Sequence, residues 1–175
     1  MVPVKVIFNG PVWTSYGQLI FRTGSKALPL PTEAFLGQVN GLCGAAVPGT
    51  LFLVTGTHTG EIPLRVTLWE SEPELGEWEE IVETSLIPAG VAELSGWMSD
   101  PVLRFALPAP CYRARWNASG MDAAHDDRLD EGDSAPDSYE LMLWPAPPAQ
   151  DAILSCISGQ AAYWHEEGFP HGRGP

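Results

Sequence analysis

Four histidines are the first residues to test for chemistry. His58 stands between Thr57 and Thr59 with Glu61 three positions on. A His-x-x-Glu pair supplies two metal ligands, whereas a zinc site needs at least a third on a rigid neighbour, and no spacing in the chain identifies one. His125 precedes Asp126 and Asp127, and clustered carboxylates suit hard cations. The EF-hand register that puts Gly132 in sixth place, however, puts Leu129 in third, where an oxygen ligand is required. His165 and His171 lie in or beside the C-terminal tail. Cys43, Cys111 and Cys156 are far apart and form no Cys-x-x-Cys pair, so they read as free, mostly buried thiols of a reducing cytoplasm. There is no Gly-x-Ser-x-Gly elbow, and Gly41, Gly44 and Gly49 match neither a dinucleotide fingerprint nor a P-loop. Carboxylates are so abundant that any chosen pair for sugar hydrolysis is uninformative. These residues point to a non-enzyme with no cofactor and no metal.

The carboxylates carry more information through their placement. The net charge is −13. Glu70 to Glu83 holds seven acids and no base, and Asp122 to Asp137 holds seven acids against Arg128 alone. The two segments therefore account for the whole excess. Such patches repel phosphate backbones, because nucleic-acid binding needs basic groups that release counterions. They would steer in a basic protein, such as a nuclease or toxin. The candidate contact residues are Trp69, Glu70, Glu72 and Glu74 in the first segment and Asp126, Asp127, Asp130 and Glu131 in the second. Acids also keep a sheet protein soluble and monomeric without any partner. A second class of function rests on the tryptophans, Trp13, Trp69, Trp78, Trp97, Trp116, Trp144 and Trp164. Exposed indoles would let the chain bind or process carbohydrate by stacking on sugar rings. Trp69, on the Arg65 and Thr67 face of its strand, is the expected exposed anchor.

The elements that must position these groups are short strands. Eighteen glycines and 17 prolines disfavour helix interiors and multiply turns. Val4 to Phe8 reads as a first strand ending at an Asn9-Gly10-Pro11 turn, and Val12 to Arg22 as a second. Thr32 would cap a helical turn over Glu33 to Val39. Ile62, Leu64, Val66 and Leu68 alternate against Arg65 and Thr67, a half-buried strand. Tyr112, Ala114, Trp116 and Ala118 share one face of another, with Arg113, Arg115 and Asn117 opposite. Tyr139, Leu141 and Leu143 face away from Glu140 and Met142. Ala152 to Ser158 reads as a closing strand, with a helix capped by Asp151 as its alternative. The expected architecture is all-β: an antiparallel β-sandwich of jelly-roll or immunoglobulin-like kind, with about ten strands and little helix. One domain is expected over 1–165, with a solvated acidic loop inserted at 119–137 and a disordered tail over 166–175. No secretory signal and no apolar run long enough for a membrane span is visible.

Tyr16-Gly17-Gln18 opening a strand, Cys111-Tyr112-Arg113-Ala114-Arg115 after a proline corner, and Tyr139-Glu140-Leu141-Met142-Leu143-Trp144-Pro145 closing it resemble a family of small acidic bacterial proteins of unknown function over most of residues 12–165. The same order of strands looks more remotely like the competence protein J type of nuclease inhibitor. That likeness implies a cytoplasmic β-sandwich that inhibits a nuclease by binding it, and assigns no particular residue a role.

Overall fold

The computed structural model describes residues 5–24, 27–126 and 132–168. It is mostly β, in one open mixed sheet. The strands are β1 (Lys5–Ser15), β2 (Gln18–Thr23), β3 (Cys43–Gly44), β4 (Thr50–Val54), β5 (Thr59–Leu68), β6 (Glu80–Leu86), β7 (Ala92–Gly96), β8 (Leu103–Phe105), β9 (Tyr112–Ser119), β10 (Ser138–Pro145) and β11 (Ala152–Ser155). Short helices α1 (Pro31–Ala34), α2 (Met121–Asp126) and α3 (Gly159–Tyr163) are added, and a π-helical turn spans Trp164–Gly168. The sheet order is β11-β6-β9-β10-β5-β1-β2-β4-β3, with β7 also pairing with β2 and β8 pairing with β7.

The sheet bends sharply at its middle. β1 pairs with β5 from Lys5 to Ser15 but meets β2 only through Ser15 and Gln18. Trp116 on β9 donates its Nε1–H to the Val54 carbonyl on β4 at 3.1 Å, although these strands lie far apart in the sheet order. The two portions therefore close over a shared core containing Leu19, Phe21, Phe52, Val66, Trp116 and Leu141. The alternating residues of β9 and β10 meet there: Trp116 and Tyr139 stack with centroids 4.9 Å apart.

Several expectations are corrected. The strands are not all antiparallel, for β10 runs parallel to β5 from Tyr139 opposite Leu64 to Leu143 opposite Leu68. Parallel neighbours need a long connection, which the path through β6 and β9 provides. The first turn is not at Asn9-Gly10-Pro11, through which β1 continues; Pro11 sits opposite Pro63, so the two residues without amide donors share one rung of the ladder. The chain reverses instead at Tyr16-Gly17, with φ of 57° and 66°, the left-handed pair that a two-residue hairpin requires. α1 begins at Pro31 rather than after Thr32, since the fixed φ of proline suits a first helical position. β11 is the expected strand, but α3 follows it and is capped by Ser158, whose Oγ accepts from the Ala161 amide. Glu166 and Glu167 belong to the π-helical turn rather than to a tail, and 169–175 lie outside the described residues.

Candidate functional site

The expected first acidic segment crosses the outer face of the sheet, where β9 points its polar residues. Arg113 and Arg115 are buried, Arg115 to 1% exposure. Burial of a guanidinium is tolerated only when its donors are paired. Arg115 donates from Nε to Glu83 Oε1 at 2.8 Å, and from Nη1 to the Pro73 carbonyl at 2.9 Å and the Glu74 carbonyl at 3.2 Å. It also lies 5.0 Å from the Trp144 ring centroid and reaches Glu72 at 3.4 Å. Arg113 reaches the other Glu83 oxygen at 3.2 Å. The covalent path from Trp69 to Trp78 thus covers β9 while presenting Glu70, Glu72, Glu74 and Glu77 to solvent. Trp69 is on the expected face, yet that face is itself covered. It is 9% exposed, packs with Met142 and Trp144, and donates to Thr67 Oγ1 at 2.9 Å. It is not the expected exposed anchor.

The second segment divides into structural and surface acids. Glu79 accepts from the Gly120 amide at 2.8 Å, which ties the first acidic segment to the residue two positions before the second. Asp122 opens α2 and accepts from the Gly159 amide at 3.0 Å and the Gln160 amide at 2.8 Å. Asp137 is buried beneath Thr57 and Tyr139: it accepts from the Thr57 amide at 2.8 Å, from the Thr57 hydroxyl at 2.6 Å and from the Tyr139 hydroxyl at 2.5 Å. Glu80, fully buried, takes the Ser158 amide at 2.7 Å. The expected solvated loop over 119–137 is therefore anchored at both ends. Asp126 ends α2, while Asp127, Asp130 and Glu131 lie outside the described residues.

A groove of about 950 Å³ runs along the exposed faces of β1 and β5, walled by residues 132–135. Trp13 and Glu61 are directly opposite each other across the two strands, and Pro11 and Pro63 form the next rung on the same face. Trp13 is 51% exposed, and its Nε1–H meets Ser15 Oγ at 3.2 Å. The sequence shows Trp13 within a strand, but the register that sets it beside Glu61 comes from residues about fifty positions apart and leaves no local signal.

Burial is the leading cause that pushes the thiols of Cys43, Cys111 and Cys156 upward, reinforced by Asp151 at Cys43 and by Glu80 at Cys156. None is set up as a thiolate nucleophile. His58 is exposed, with its Nδ1 2.8 Å from Thr59 Oγ1 and its ring edge-on to Tyr16. Among the described residues, no group of three or more His, Cys, Asp or Glu is placed to hold a metal ion, and no helix is long and apolar enough to cross a membrane.

The class defined by these features is a mostly-β protein with a bent mixed sheet and an acidic outer covering. Among solved structures, the fold is shared with ComJ from Bacillus subtilis, an inhibitor of the DNA degrading activity of NucA. That similarity has a TM-score of 0.57 at 16% identity and covers 81% of this chain and 98% of ComJ. A second similar structure, the product of crocagin biosynthetic gene J, gives a TM-score of 0.53 at 16% identity over 84% of this chain and 100% of its own. No family model and no curated protein matches the sequence.

Proposed function

We propose that this chain is a non-catalytic, cytoplasmic, inhibitor-type binding protein whose acidic surface engages a basic protein partner such as a nuclease or toxin. The observation that carries this reading is that the arginines of β2, β5, β8 and β9 are paired with carboxylates, mostly ones outside the exposed part of the first acidic segment. Arg22 and Arg104 pair with Glu93, Arg65 with Glu140, and Arg113 and Arg115 with Glu83. Of the solvent-facing glutamates of the first segment, Glu72 meets Arg115 at 3.4 Å, while Glu70, Glu74 and Glu77 add negative field toward an approaching molecule, and a field of one sign steers a partner of the other. The fold shared with ComJ, itself a nuclease inhibitor, supports the inhibitor class.

The test is affinity capture from the native host at low and high salt, followed by assay of DNA degradation by the captured protein with and without added chain. A basic partner released by salt, whose activity the chain suppresses, is the expected result. Lysine at Glu70, Glu72 and Glu74, or at Asp126, Asp127 and Asp130, should weaken capture. Retention that ignores both salt and these reversals would overturn the reading.

A further inference from the structure

We infer that the groove on β1 and β5 is the docking site for an arginine- or lysine-bearing segment of the protein partner. The inference takes from the proposed function only that the partner is basic, and assigns the contact to a groove on β1 and β5 that the second acidic segment enters only through residues 132–135. Its floor is an indole beside a carboxylate: Trp13 and Glu61 are directly opposed across the strands, and directly opposed side chains on one face lie about 5 Å apart at Cβ. A cation seated over the ring would meet its negative face and the carboxylate together. The hydrogen bond from Nε1 to Ser15 Oγ fixes the ring edge, which lowers the ordering cost on binding. Pro11 and Pro63, both exposed and opposed on the next rung, form a rigid apolar shelf for the aliphatic stem of such a side chain. Asp133 is on the facing wall, and among the described residues no Lys or Arg lines the groove. The next base along the same stripe of β5 is Arg65, which is held by Glu140 at 3.7 Å. An apolar platform flanked by acids fits a cationic side chain and repels an anionic one.

Binding to the full chain is measured by tryptophan fluorescence and by calorimetry. The probes are a synthetic peptide alternating arginine with alanine, its glutamate counterpart, and a neutral glucan oligosaccharide. The arginine peptide should bind in a salt-sensitive way, and Trp13→Ala and Glu61→Gln should each weaken it about tenfold, the scale of a well-formed cation–π or charge contact. Both side chains are exposed, so unchanged thermal melts of the variants verify that the fold persists. A triple Glu70→Gln, Glu72→Gln, Glu74→Gln variant separates the two surfaces: with the groove as the peptide site, it should weaken the peptide less than Trp13→Ala does. Peptide binding lost only in the triple variant would overturn the groove assignment while leaving a basic partner in place. The groove assignment would equally be overturned by binding of the oligosaccharide instead, or by no binding of the arginine peptide. A host capture that yields no basic protein would count against the partner reading alone.

Discussion

Arg115 shows how single residues govern this molecule. Its guanidinium links a strand, a connecting segment and an aromatic ring, and removing it would strand the buried Glu83 carboxylate, which Arg113 alone would then have to balance. Arg115→Ala should therefore cost about 3–5 kcal/mol in denaturant unfolding. Arg115→Lys should rescue little, since an ammonium cannot reproduce the forked set of donors. Tyr139 gives a pH signature. Burial is the main cause holding its hydroxyl well above the ordinary tyrosine value, and neighbouring Asp137 adds to the shift. With the folded value raised above the unfolded one, the stabilisation is fully present below about pH 10 and is lost as pH rises beyond it. Tyr139→Phe should lower stability at neutral pH, through loss of bonds to Asp137 and the Gly56 amide, and should flatten the alkaline decline. Urea midpoints measured across pH 8 to 11, as approximate bounds around the free tyrosine value, would check both effects.

At the scale of elements, the alternating patterns of β5, β9 and β10 were readable because period-two burial is local to each strand. The turn at Tyr16-Gly17 was not, since left-handed backbone favours Gly, Asn or Asp at the first central position and a tyrosine there gives the opposite signal. The outer face of β9 misled for a related reason. Arg113, Arg115 and Asn117 have the polarity of a wetted face, and segments distant in sequence, at Pro73 over Arg115 and at Ala149 over Arg113, make that face an interior. Trp69 was misplaced by the same covering. The small helices depend on each other more than on their own sequences. Asp122 in α2 caps the start of α3, so Asp122→Ala should cost about 1 kcal/mol and Asp122→Asn much less. Amide hydrogen exchange at Gly159 and Gln160 should accelerate in the alanine variant and change little in the asparagine one.

For the whole molecule, a net charge of −13 means that surface carboxylates repel one another in the folded state. Salt should therefore raise the melting temperature between about 10 and 500 mM, over which the screening length falls from about 30 Å to a few Å. A melting temperature that instead fell with added salt would mean that the internal arginine pairs outweigh the surface repulsion. The sum of charge and its two concentrations were legible from composition. The groove was not, because it depends on a strand register and on a wall from residues 132–135, which no single window of sequence contains.

The carbonyls of Pro73 and Glu74 hold their segment onto Arg115, and a carbonyl is the same whatever side chain its residue carries. Position along the sheet and charge toward solvent are thus separate variables at 70, 74 and 77, whereas Glu72 also meets Arg115 with its side chain. The exterior can be rewritten residue by residue, for a new partner or for none, over an unchanged backbone path.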